Sequence, residues 1–158
     1  MTAASLVLFA VLATPVSSGN IAINPAATFL AVANPDSNSI SVVALPEERL
    51  QAEIAVGVDP RCVAWDLDGN YVLVTNQASD SVSLASVSRR RVVQTIRVDA
   101  GPYGVVVHPG RNEAYVAASA ANVVDVILLY PTMKNFQSRV VKRIPVASRP
   151  KEIGRAHV

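Results

Sequence analysis

The sequence predicts an all-β chain, a β-propeller of four-stranded antiparallel blades, with about three blades present as an incomplete arc. Three observations predict it. Segments recur at a fixed spacing of 42: Ala31-Val32-Ala33-Asn34, Leu73-Val74-Thr75-Asn76 and Tyr115-Val116-Ala117-Ala118 are related by it, as are Ile40, Val82 and Val124. Each period divides into four short β-rich runs with turn formers between them. Between Ile21 and Val146 no segment carries the apolar periodicity of a helix. A fixed period of this size marks a stack or ring of like units, each burying its apolar face on its neighbours. A parallel β-helix uses shorter coils, and an immunoglobulin-like sandwich has evenly spaced strands without a repeated sequence.

The unit from Pro60 to Pro102 justifies each strand in order. Cys62-Val63-Ala64-Trp65 is a short apolar run, and the turn formers Asp66-Leu67-Asp68-Gly69-Asn70 follow, with Gly69 suited to positive φ. Tyr71-Val72-Leu73-Val74-Thr75 has a strand composition. After the polar turn Gln77 to Asp80, Ser81-Val82-Ser83-Leu84 alternates polar and apolar, as a strand with one buried face does. Ser88-Arg89-Arg90 turns the chain again, Arg91 to Val98 makes the fourth strand, and Gly101-Pro102 ends the unit. Pro102 follows Pro60 by one period, but Pro150 comes later than one period after Pro102. The third unit therefore carries a six-residue insertion, around Leu129–Lys142.

These repeats resemble the YVTN family of β-propeller repeats, found in exported and surface-layer proteins. The segments that carry the resemblance are Gly101-Pro102, Val105-Val106-Val107-His108-Pro109-Gly110, Leu73-Val74-Thr75-Asn76, Ser81-Val82-Ser83-Leu84 and Val92-Val93-Gln94-Thr95-Ile96-Arg97-Val98. The resemblance covers most of Ile21 to Pro150; the third unit departs with Ala118 where the others have Asn. It implies a propeller and an exported setting: periplasm, cell surface or medium.

The ends read differently from the repeats. Residues 1–18 hold an apolar run, Ala3 to Ala13, of the length of a signal-peptide core, with small residues at Ser17-Ser18-Gly19. No Lys or Arg precedes that run, which leaves a membrane anchor or a strand of an earlier blade as alternatives. The blades occupy residues 19–152. Pro150 opens what should be a fourth unit, and Ile153 to Val158 then reads like translated sequencing adapter. Because closed propellers need about four to eight blades, either further blades follow in the same chain or copies of it self-associate.

Net charge is +2, from 14 basic and 12 acidic residues, with no basic stripe, so nucleic acid is not an expected partner. Cys62 is the single cysteine, which excludes an internal disulfide. Asp66-x-Asp68-Gly69 begins like a calcium loop but lacks its distal Glu, and a hairpin turn explains the same residues. His108 aligns with Asp66 and Asn24 at the end of a first strand; it could face a channel or a metal, but Pro109-Gly110 mark it as a turn residue. Arg89-Arg90-Arg91 could contact an acidic polymer or lipid headgroups, but reads more simply as a solvated hairpin tip. Trp65 and Tyr115 should fill space between blades. Asn34 and Asn76 should bond the backbone of the adjacent turn, and Pro60, Pro102, Pro150, Gly69, Gly101 and Gly110 should serve the repeated turns.

No haem-attachment motif, nucleophile elbow, P-loop or zinc-protease motif is present, and no cofactor is identified. The expected function is therefore binding: rim loops presenting a surface to a protein or small-molecule ligand. Two alternatives are a propeller enzyme, lactonase-like or haem- or quinone-linked, and a purely structural surface-layer component.

Overall fold

The computed structural model of the chain describes residues 19–130 and 137–151. The leader-like segment 1–18, the adapter-like residues 153–158 and part of the insertion lie outside them. Among the described residues twelve strands form three separate four-stranded antiparallel sheets. Blade 1 holds β1 (Ile21–Ile23), β2 (Phe29–Asn34), β3 (Ser39–Ala44) and β4 (Arg49–Ala55). Blade 2 holds β5 (Pro60–Trp65), β6 (Tyr71–Asn76), β7 (Ser81–Ser86) and β8 (Arg91–Arg97). Blade 3 holds β9 (Pro102–Val107), β10 (Glu113–Ala118), β11 (Val123–Leu128) and β12 (Arg139–Pro145). In each sheet the strands pair in chain order, as a meander, and each pairing of third with fourth strand carries one register shift, beginning at Val42, Leu84 and Val126.

The first strands of successive blades lie side by side, β1 by β5 and β5 by β9, whereas the fourth strands barely meet. The first strands therefore form the inner wall of the arc. Strand alternation sends one set of side chains forward and the other back. Ala31, Ala33, Ile40, Val42 and Ile54 of blade 1 meet Val63, Trp65, Val72 and Val74 of blade 2. Leu73, Val82, Leu84 and Ile96 of blade 2 meet Val105, Val107, Val116 and Ile127 of blade 3. The core is thus two inter-blade layers, and each Val, Leu or Ile wholly buried in them contributes about 1.5–3 kcal/mol.

Trp65 stacks on Phe29 of blade 1 with ring centroids 6.5 Å apart, and its Nε1 donates to the Ala22 carbonyl at 3.0 Å. Tyr115 does not join the described blades. It stands at the position of Leu73 but on the forward face of blade 3, half-buried, with its hydroxyl on Glu113 Oε2 at 3.1 Å.

Positive φ recurs with the sequence period. It is found at Ala27 and Gly69, at Asn38, Asp80 and Asn122, at Glu48 and Arg90, and at Asp59, Gly101 and Arg149. Repetition of a conformation that costs an ordinary L-residue about 1–2 kcal/mol means the same turns are imposed blade after blade.

Candidate functional site

Two rims bound the arc. One carries the turns between first and second strands. There the sequence candidates fall in two turns: Asp66, Asp68 and Gly69 in that of blade 2, and His108 and Gly110 in that of blade 3. Asp66 Oδ1 accepts the Asn70 and Tyr71 amides, both at 2.8 Å, as Asn24 Oδ1 accepts those of Thr28 and Phe29 at 2.8 and 2.9 Å. Burial pushes the Asp66 carboxyl above its ordinary range even though these amides oppose it. Asp68 is exposed beside it. His108 Nδ1 accepts the Gly110 amide at 3.0 Å, and its ring lies 6.4 Å from that of Tyr115. Among the described residues no three His, Cys, Asp or Glu side chains come together as metal ligands.

The opposite rim is the candidate site. It is built from the turn between second and third strands of each blade and from the segment connecting one blade to the next. Asn38, Asp80 and Asn122 end the three turns with positive φ. Their side-chain Oδ1 atoms accept the amides of Asp59, Gly101 and Arg149, in each case at 2.9 Å. The connection also grips the blade that follows: Gln77 and Ala78 donate to the carbonyls of Asp59 and Val58, and Ser119 and Ala120 to those of Gly101 and Ala100. Each of these two connections is thus held between the turns of two blades. Pro60 and Pro102 start the strands that leave this rim, and Pro150 follows β12 at the corresponding place.

Asn34 and Asn76 sit on this rim, but they do not bond the turn backbone as the sequence suggested. Their Nδ2 atoms reach across to the third strand of their own sheet, and in blade 1 to the fourth as well. Asn34 Nδ2 donates to Ser41 Oγ at 2.8 Å and to Glu53 Oε1 at 3.1 Å; Asn76 Nδ2 donates to Ser81 Oγ at 3.1 Å and Ser83 Oγ at 2.9 Å. The extended backbone of a strand end aims these amides at the neighbouring strand. Burial alone would raise the Glu53 carboxyl, but Ser39, Ser41 and Asn34 donate to it and hold it below its ordinary value.

In blade 3 the same positions hold Ala118 and Asp125, with Arg143 paired across from Asp125. Asp125 Oδ2 accepts the Asp99 amide at 2.7 Å, and Arg143 Nε lies 2.5 Å from Asp99 Oδ2. Sequence reasoning missed Asn38, Asp80 and Asn122, although their spacing of 42 was a readable signal. It also missed Asp99, Asp125 and Arg143, whose signal is the departure from the repeat, visible for Arg143 only once the insertion is allowed for.

Three meander sheets stacked about a common inner wall define a β-propeller arc. The chain belongs to the lactonase family of seven-bladed β-propellers, whose model matches residues 8–108. Similar solved structures include Kuenenia stuttgartiensis hydrazine synthase, at 28% identity and TM-score 0.75, over 86% of this chain and 37% of that one. A candidate 6-phosphogluconolactonase of Bacteroides uniformis matches at 14% identity and TM-score 0.71, over 85% of this chain and 43% of its own. The dihydro-haem d1 dehydrogenase NirN matches at 22% identity and TM-score 0.64, over 84% and 29%. The chain therefore spans less than half the length of these structures. A comparison with curated proteins finds no match.

Proposed function

We propose that this chain is part of an exported propeller of the YVTN-repeat type whose connection rim binds a ligand or a partner protein. One observation carries the reading: the rim's backbone bonds repeat from blade to blade, while the polar side chains they frame change. On the turns at the surface of this rim, Pro35, Asp36 and Ser37 give way to Gln77, Ala78 and Ser79, and then to Ser119, Ala120 and Ala121. A rigid repeated frame with variable polar groups suits recognition better than a single shared reaction.

The second reading is an enzyme, favoured by membership of the lactonase family and by the activities named for the similar structures. Its reacting groups would come in large part from elsewhere in the protein. The test uses the complete protein and measures base consumption at constant pH with gluconolactone and 6-phosphogluconolactone. The binding reading expects a rate equal to uncatalysed opening; saturable turnover overturns it in favour of the enzyme. Export is tested separately by fractionating the native cells, where recovery of the protein with the cytoplasm would refute it.

A further inference from the structure

The joint between blades 2 and 3 differs from the joint between blades 1 and 2 by a set of charges. At the first joint, Gly57 of the connection rests on Asn76, so closely that a Cβ would fall 2.6 Å from Asn76 Cγ. At the second joint the residue matching Gly57 is Asp99, and the residue matching Asn76 is Ala118. The amide lost from the strand leaves room for the carboxylate gained in the connection. Ser83 and Thr95 become Asp125 and Arg143 in the same step.

Asp125 has no exposed surface. Its carboxyl and that of Asp99 meet at one guanidinium: Arg143 Nε lies 2.5 Å from Asp99 Oδ2 and 3.6 Å from Asp125 Oδ1. Asp125 Oδ1 is buried without a hydrogen-bond donor, and Arg143 Nε is too distant to serve as one. Ionised, the three side chains sum to one negative charge. Two ionised carboxylates have only acceptors to offer, whereas a protonated one carries a donor of its own. Arg143 is thus a distant ion-pair partner that Asp125 shares with Asp99, and a buried carboxylate so incompletely compensated is among the costlier arrangements in a protein interior.

We propose that Asp99, Asp125 and Arg143 form a proton-held latch: a proton on the Asp125 carboxyl keeps the joint of blades 2 and 3 closed, and its release to solvent loosens the joint. The charged groups around Asp125 are few. The connection supplies Asp99, and β12 supplies Arg143. Asp80, at the turn of blade 2, is engaged with the Gly101 amide, and Arg97 at the end of β8 is exposed. Val116 of β10 pairs with Asp125, and Ala118 pairs with Pro102 of β9, so those strands bring no charge at these positions. Burial pushes the Asp125 carboxyl upward and the Asp99 charge adds to this, against the Asp99 amide and Arg143. A carboxyl raised in the folded state contributes fully below the ordinary carboxylate pKa, and that contribution is lost as pH rises through the folded value.

The test is hydrogen exchange followed by mass spectrometry on the intact protein, from about pH 4 to about pH 8, corrected for intrinsic exchange. It compares the connection Val98–Gly101 with the matching Val56–Asp59 as an internal control. Protection of the first should fall by about tenfold or more with rising pH while the second stays flat. Asp125→Asn, which is uncharged at every pH, should abolish the fall. Arg143→Gln changes a largely exposed side chain and removes the cation opposing the proton, so the fall should move to higher pH. A flat profile in the parent protein overturns the latch, as does an unchanged fall in the Asn variant. If that variant does not fold, Arg143→Gln decides, since a midpoint that stays put or moves down is equally fatal.

Discussion

At the scale of the residue, the rim turns on a single missing side chain. Gly57 is required by proximity, not by backbone conformation: its φ is ordinary, but an added Cβ would meet Asn76 Cγ at 2.6 Å and Ser79 Oγ at 2.7 Å. A serine hydroxyl can rotate away; an amide held by two hydroxyls cannot. Gly57→Ala should therefore destabilise the protein by about 1–3 kcal/mol, as overpacking does. Asn76→Ala alone should cost about 1–2 kcal/mol in lost hydrogen bonds. The double variant should be more stable than the sum of the two predicts, because blade 3 already combines a larger connection residue with alanine. A denaturation cycle over the four proteins checks this, and strict additivity would contradict the proposed contact. Neither partner was legible as a pair in the sequence. Asn76 recurs visibly with Asn34, but what it touches lies in the connection before its own blade, with the whole of β5 intervening. No local pattern marks that contact.

At the scale of the element, the repeated turn is the part that fixes the rim. Asn38 combines positive φ with a side-chain bond to the next connection, and Asn122 does the same two periods later. Asn38→Ala should lose both contributions, about 1–3 kcal/mol in all. Asn38→Gly should recover the conformational part and lose only the bond. Thermal denaturation of the two variants separates them; equal losses would mean that the backbone conformation carries no cost at this turn. The strands themselves were legible with their order and nearly their ends, since each is short, β-rich and bounded by turn formers. Turns with Gly69 or Asp66 were legible for the same reason. The cap made by Asn38, Asp80 and Asn122 was not, because a side chain reaching into the next connection, beyond two further strands, leaves no signature within one strand or turn. The charged joint was hidden more deeply, since it appears only as an exception to a repeat.

At the scale of the whole molecule, the described residues expose apolar side chains on both end faces of the arc. Ile21 and Ile23 are 54% and 57% exposed on blade 1, whereas Val63 and Trp65 at the same blade positions are 0% and 7% exposed. On blade 3, Ile144 and Val146 are 36% and 38% exposed, against 4% and 6% for Ile96 and Val98. Each open face has the shape that a neighbouring blade covers elsewhere in the arc. Residues 1–158 expressed alone should therefore associate reversibly, with a sedimentation coefficient that rises with concentration. A single concentration-independent monomer would contradict this. The architecture was legible because a fixed period is a global signal that survives substitution at any one position. The side chains that set one part of the rim apart from another were not, because they lie where successive units disagree.

The double grip on each connection bears on how such a chain can change its length over generations. Since the connection is fastened to the turn before it and the turn after it, no cut separates one blade's bonds from the next. Yet gain or loss of any stretch one full period long restores the same set of fastenings across the new seam. Recombination between repeats thus rebuilds the same joint at most break points, though it changes the number of blades. The exception is a break that carries off Asp99 and leaves Asp125 behind, which would strand a buried acid without its partner. The same residues that set one joint apart also mark the seam at which the gene is least free to be shuffled.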